Sequence, residues 1–279
     1  MTDDGLYIEP RATQTQVRRT LLPDGLSRSD DHRYFWTIDG VTHVPTGAPG
    51  VTTVLKQLDK SGPFWAAASR IVAEKAVNEH QKLVAMIVDD GPIAATDWLK
   101  ASTRDKSQKA MDLGSAIHKL IETEAAATEY SGDQAPYMAQ YMAGFLLKYA
   151  PQAEYVEAMV YSERNAYGGT LDLIAIIGGQ RWLIDYKTSD KPIGRKDRDF
   201  PYADVALQLA GLGFADFIGK PGSPYRIDIP HIDRYGVVAI TPNDCQLIEY
   251  DVTDAEYQTF LHLRNIHEWV TTRKGSVKR

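Results

Sequence analysis

One cysteine, Cys245, stands in 279 residues. It excludes an intrachain disulfide, a thiolate zinc site and a cysteine-ligated iron–sulfur cluster, since each needs at least two thiols. No run approaches the roughly 20 apolar residues of a membrane-spanning helix. The first residues, Met1 to Gly5, carry no charged-then-apolar leader pattern, so the expected location is the cytoplasm. Positive charge is short as well: 31 Lys and Arg against 37 Asp and Glu leave a net charge of −6. That argues against a protein that coats duplex DNA by bulk electrostatics. It does not exclude a DNA enzyme, because charge can be local and bound metals add more. Internal repeats and low-complexity segments are absent too. What is present is an ordinary apolar content of 43%, enough for one large domain or a core with an added lobe.

The densest signal is Gly168-Gly169-Thr170-Leu171-Asp172, followed by Leu183-Ile184-Asp185-Tyr186-Lys187-Thr188. Between them lies Ile177-Gly178-Gly179-Gln180. Both flanks are rich in β-branched residues, and Gly-Gly suits a two-residue hairpin turn whose positions need φ > 0. Counting outward from that turn, Ile177 faces Gln180, Ile176 faces Arg181 and Asp172 faces Asp185. Lys187, two residues on, points from the same face as Asp185. Directly opposed residues of an antiparallel pair lie roughly 4.5–5.5 Å apart at Cβ, and like charges there repel. A positive group must sit between the two carboxylates. Lys187 supplies part of that charge and a divalent cation supplies more. This is the apparatus of metal-assisted phosphodiester hydrolysis. Carboxylates hold a hard cation, which polarises the phosphate and activates water, while the lysine stabilises transition-state charge or orients the nucleophile. The bland alternative is surface decoration at a strand end.

Around this hairpin the chain reads as a helical lobe followed by three strands, a helix, two strands and a helix. Residues 1–33, polar and without sustained periodicity, are expected to be an extended arm or partly disordered. Tyr34–Ile38 and Val41–Val44 form a hairpin about Asp39-Gly40. Helices are expected over Val51–Leu58, Pro63–Glu79, Gln81–Val88, Ile93–Lys100, Thr103–Ala127 and Tyr137–Tyr149. Strands follow over Val156–Tyr161, Thr170–Ile177 and Arg181–Lys187, then a helix over Tyr202–Ile218, and strands over Arg234–Thr241 and Gln246–Val252. Thr253-Asp254-Ala255-Glu256 is a capping box that starts the last helix, which ends near Thr272. The order gives an α/β (α+β) class: a central mixed sheet flanked by helices, with a mostly helical N-terminal region. The expected division is 1–110 for arm, hairpin and helical lobe, 111–272 for the core and 273–279 for a basic tail.

Four further features bear on chemistry. Gly114, His118 and Glu122 share one helix face; His118 could reach the hairpin carboxylates, or pair with Glu122 on the surface. Glu157 faces Asp172 if Arg164-Asn165 is the turn, a peripheral third carboxylate. Gln208 is either a solvated helix residue or an amide that positions phosphate or water. Lys187, Lys191, Arg195, Lys196 and Arg198 make the hairpin's exit locally basic, with Phe200 and Tyr202 next. They form a solvated loop or a phosphate-tracking rim with aromatics for base stacking.

The set His118, Gly169-Thr170-Leu171-Asp172, Asp185-Tyr186-Lys187-Thr188 and Gln208 resembles the PD-(D/E)XK nuclease superfamily, and within it the RecB-like and Cas4-like exonuclease branch. The matching region runs from about Gly114 to Leu212. Val51–Leu55 with Trp65-Ala66-Ala67 is similar to stand-alone phage members. The resemblance implies a restriction-endonuclease-like core and a metal-dependent DNA exonuclease of recombination, repair or degradation. It implies one or two Mg²⁺ or Mn²⁺ ions on His118, Asp172, Asp185 and the Tyr186 carbonyl, Lys187 as catalytic lysine and Gln208 as the motif glutamine. Lys191, Arg195, Lys196 and Arg198 would contact DNA. A strand-annealing or single-strand-binding partner and a host-cell cytoplasm are suggested by resemblance alone. Leu212 stands where the branch often carries tyrosine, and the single cysteine leaves no iron–sulfur cluster. The competing expectations are a structure-specific or nicking endonuclease on the same core, a non-catalytic DNA-binding recombination protein and a small-molecule phosphohydrolase.

Overall fold

The computed structural model describes residues 24–58, 61–122, 132–194 and 200–273. Strand β1 (Gly25–Arg28) pairs antiparallel with β2 (Arg33–Ile38), which also pairs with β3 (Val41–Thr42) and β4 (Ala48–Pro49). Asp39 and Gly40, both at positive φ, make the expected tight turn between β2 and β3. Residues 25–33 are therefore not the expected arm. Leu26, fully buried with Trp36 and Phe217, anchors β1 in a small core of its own.

A helical lobe follows: α1 (Val51–Leu55), α2 (Ser61–Asn78), α3 (His80–Asp89) and α4 (Pro92–Glu122). The two helices expected over 93–127 are one for its described length. Ala101-Ser102-Thr103 contains no breaker, and the Ser102 hydroxyl is satisfied inside the helix by the Leu99 carbonyl at 2.5 Å. The boundary expected near residue 110 falls inside α4. Next, α5 (Ala135–Tyr141) runs through a π-helical turn (Met142–Leu146) into α6 (Leu147–Tyr149). No helix among the described residues is long and apolar enough to cross a membrane.

The remaining elements are β5 (Gln152–Ser162), β6 (Tyr167–Ile177), β7 (Gln180–Thr188), α7 (Val205–Gly213), β8 (Phe217–Lys220), β9 (Ser223–Asp228), β10 (Arg234–Ile240), β11 (Cys245–Tyr250) and α8 (Asp254–Thr272). Seven strands form one mixed sheet in the order β11-β10-β7-β6-β5-β8-β9, with β10 and β7 parallel and the other neighbours antiparallel. The fold is thus mixed α/β, a central sheet flanked by helices. On one face α1, α7 and α8 cover Val160, Leu183 and Val237. On the other, Ile117 of α4 with Tyr137, Met138 and Tyr141 of α5 covers Leu173, Ile184 and Val238. The capping box at Thr253 starts α8: Ala255 N–H donates to the Thr253 hydroxyl, and Glu256 accepts from Thr253 N–H at 2.7 Å.

The helix expected to run to Ile218 ends instead at Gly213, and Phe217 and Ile218 enter β8. The helical spacing of Val205, Leu209 and Leu212 extends by accident to Phe217. Yet Phe217 and Ile218 are consecutive and both buried, which a strand inside a sandwich tolerates. The β8–β9 hairpin was absent from the expectation, although Pro221-Gly222, with Gly222 at φ +70°, is a turn signal.

Gly168 and Gly169 have separate jobs. A Cβ on Gly168 would lie 2.4 Å from Tyr34 Cγ, and one on Gly169 would lie 2.4 Å from Leu212 Cδ2. Tyr34 is buried, and its hydroxyl meets Thr170 Oγ1 at 2.9 Å. Its ring pins the N-terminal sheet onto β6. Gly168→Ala is expected to cost about 2–3 kcal/mol, the upper range for overpacking a buried contact, because the first-met atoms are the rigid base of the ring. Urea denaturation checks it; an unchanged midpoint would mean the two sheets slide apart at no cost.

Candidate active site

The β6–β7 register is the one the Gly-Gly turn dictates, from Ile177↔Gln180 to Leu173↔Ile184. The ladder stops at the next pair, Asp172 and Asp185. There the strands part, and Tyr186 N–H donates to Asp172 Oδ2 at 2.7 Å instead of to a β6 carbonyl. A carboxylate thus takes the place of the backbone acceptor, and a cleft opens at the point of separation. It measures about 750 Å³. Asp172, Asp185, Lys187, His118, Glu157 and Gln208 all line it.

The strand alternation also breaks here. Leu171 packs in the α7/α8 core and Leu173 in the α4/α5 core, although residues two apart share a face in a regular strand. On β5, Tyr155 and Ala158, three apart, pack toward the same core. The skipped positions are Asp172 and Glu157, and Glu157 has φ +47°. A left-handed backbone at a residue that is not glycine is strained and persists where its surroundings hold it. The paired skip brings Glu157 and Asp172 beside His118: one ligand atom from each of the three lies within 4.8 Å of the others. The residue expected at the periphery is in the cluster, and Asp185 lies outside it.

Asp185 is 2% exposed, and its carboxylate is already engaged. Lys187 Nζ lies 2.6 Å from its Oδ2 and Gln208 Nε2 donates to its Oδ1 at 2.5 Å. Gln208 Oε1 in turn accepts from Lys187 Nζ at 3.1 Å. The amide therefore bridges the carboxylate and the ammonium and fixes both rotamers. Asp185 and Lys187 share a face of β7, as their spacing requires. The α7 helix delivers Gln208 from above that face. The expected tyrosine position, Leu212, is buried against Gly169 and presents an apolar side chain to the cleft.

His118 comes from α4 on the other side. Its Nε2 is 2.9 Å from the Tyr186 carbonyl, and its Nδ1 is 3.7 Å from Asp172 Oδ2. The carbonyl expected as a metal ligand is thus the hydrogen-bond acceptor of the expected histidine ligand. Behind it, the Tyr186 ring meets His118 edge-on at 5.9 Å between centroids, and Tyr141 and Phe145 pack on Tyr186. The glycine one turn earlier, Gly114, gives room to Thr188: a Cβ there would lie 3.1 Å from its hydroxyl.

Burial lowers the His118 pKa, only partly offset by Asp185, and keeps the imidazole neutral, the form that ligates metals. Burial pulls the Lys187 ammonium downward, but the charges of Asp185 and Asp172 more than restore it, and its pKa ends above the usual lysine value. That shift favours the charged ammonium. Burial and the Asp185 charge push Asp172 well above the usual carboxylate range. The donor set fits a divalent ion on three counts: two carboxylates and a neutral imidazole converge, the Asp172 carboxyl is pushed toward its neutral form by burial and by Asp185, and the buried Asp185 Oδ2 has an ionic partner but no aligned hydrogen bond.

Of the expected rim, Lys191 is exposed, with Nζ 3.4 Å from the Tyr202 hydroxyl. Arg195, Lys196 and Arg198 lie outside the described residues. Phe200, expected to offer a stacking face, is instead buried in the core beside α7, whereas Tyr202 is exposed. Nothing in the sequence signals the skip at Glu157, since neither Gly nor Pro marks it.

No protein-family model matches the chain, and no curated protein matches it. Among solved structures it is similar to one titled "Crystal structure of SSO0001", at 14% identity over 72% of this chain and 86% of that one, with a TM-score of 0.30. Likeness at that level carries no argument about function.

Proposed function

We propose that this protein is a divalent-metal-dependent DNA nuclease, most simply an exonuclease. The observation that carries the reading is the convergence of Asp172, Asp185 and Lys187 in one cleft where β6 and β7 part, with a neutral imidazole and a further carboxylate alongside. His118, Glu157 and Asp172 would hold an Mg²⁺ or Mn²⁺ ion, with Asp185 at hand for a second. A cation bound there supplies Lewis acidity toward a phosphate oxygen and lowers the pKa of water.

The chain's own residues account for the rest. Lys187, held between Asp185 and Gln208, keeps its ammonium aimed into the cleft and stabilises negative charge that grows on the phosphate. Gln208 keeps that ammonium from swinging toward Asp172. Tyr186 orders the metal-facing histidine through its carbonyl and its ring. Arg28, Lys119 and Lys187 line the cleft and favour a polyanion there despite the net negative charge.

The test is hydrolysis of end-labelled linear DNA with Mg²⁺ or Mn²⁺, against an EDTA control. Metal-dependent release of labelled nucleotides is expected, and covalently closed circular DNA should resist. Digestion of the circle would point to an endonuclease on the same core. Hydrolysis of mononucleotides in preference to DNA would point to a phosphohydrolase, and no hydrolysis with Mn²⁺ bound would favour a DNA-binding protein.

A further inference from the structure

A second cavity of about 660 Å³ opens on the far side of Lys187 and Gln208, which line both it and the acidic cleft. Its character is different. Leu55 and Leu58 from the end of α1 form one wall, and Phe200, Pro201 and Tyr202 form the other. Leu55 and Phe200 are buried, while the Tyr202 ring is 43% exposed. Asp204 and exposed Lys56 also line it, and Lys191 reaches the Tyr202 hydroxyl.

Resting on the nuclease reading, we infer that this alcove receives the base of the nucleotide next to the scissile phosphate, and that the substrate strand therefore presents that base unpaired. A nucleotide has one anionic and one flat apolar part. The two adjoining cavities divide the same way, with the lysine and the amide between them. The acidic cleft with its cation takes the phosphate. The alcove offers apolar walls and one accessible aromatic ring, on which any base can stack without sequence preference. A base seated in that alcove has left its partner in a duplex. The inference thus names the substrate: a single strand, or a duplex end whose terminal base has left its stack. The Lys56 and Lys191 ammoniums are suited to the flanking phosphates.

The test uses end-labelled single-stranded oligonucleotides of one sequence, each with one abasic site, scanned through successive positions, with the wild-type protein and Mg²⁺ or Mn²⁺. One position, adjacent to the scissile bond, is expected to lower kcat/KM about tenfold when its base is missing, the scale of a single base–aromatic stack. Tyr202→Ala, at an exposed position, should lower cleavage of the intact strand by a similar factor and leave the abasic strand at that position unaffected. Equal rates at every abasic position, or equal sensitivity of both strands to Tyr202→Ala, would overturn the inference and leave the nuclease reading standing. Failure to cut any oligonucleotide would overturn both.

Discussion

Lys187→Ala is expected to reduce DNA hydrolysis about 10³-fold, at the upper end of what removal of one preorganised charge donor costs. Lys187 is the cation paired with Asp185, and the same ammonium donates to the Gln208 amide oxygen. The variant should also lose stability, because Asp185 is left buried without a countercharge. Breaking a buried pair costs roughly 3–5 kcal/mol, and the lower end applies here since the Lys187 side chain is about a third exposed and water can enter. Lys187→Arg separates the two effects. It keeps a cation beside Asp185 and should stay close to wild type in stability. Its planar, wider group cannot repeat the Gln208 contact and should still lose most activity. Rates measured under single-turnover conditions, with melting curves on the same samples, check both. If Lys187→Ala keeps more than a tenth of the activity, the lysine has no role in the chemistry.

Asp172→Asn should behave in the opposite sense. Without divalent metal the variant is expected to be at least as stable as wild type. It removes a carboxylate that burial and Asp185 already push toward the neutral form. The amide oxygen of Asn can still accept the Tyr186 N–H. Added Mn²⁺ then tells the two proteins apart. An ion at a hundred times its Kd stabilises the folded state by about 2.7 kcal/mol, which in a chain of this length is about 4–5 °C in Tm. Wild type should show that rise and Asp172→Asn should lose nearly all of it. Differential scanning calorimetry in EDTA and in Mn²⁺ gives both numbers. An equal Mn²⁺ shift in the two proteins would place the cation elsewhere. Such a site, unstable until its ion arrives, is what function demands at the expense of fold.

The parts of this site that were legible in the sequence are those set by local rules. Gly178-Gly179 defines a turn, a turn defines a register, and a register with period two puts Asp185 and Lys187 on one face and Asp172 at the neighbouring position. The α8 start was legible for the same reason, since Thr253 and Glu256 cap the helix with groups three residues apart. What was not legible depends on distant partners. The φ of Glu157 is imposed by packing across β5 and β6, and nothing in its neighbours signals it. Tyr34 meets Gly168 across more than a hundred residues, so the reason for that glycine could not be read locally. Phe217 fell on a helical spacing by coincidence and was claimed by β5 through strand pairing. Phe200 looked like one more aromatic of a basic loop until the core beside α7 covered it.

The ion's place is the claim on which the rest depends, and diffraction from crystals soaked in Mn²⁺, collected at a wavelength where manganese scatters anomalously, tests it most directly. The account predicts an anomalous peak bounded by His118, Glu157 and Asp172, with any second peak on the Asp185 side. A protein with Mn²⁺ bound elsewhere and none at that cluster would contradict it.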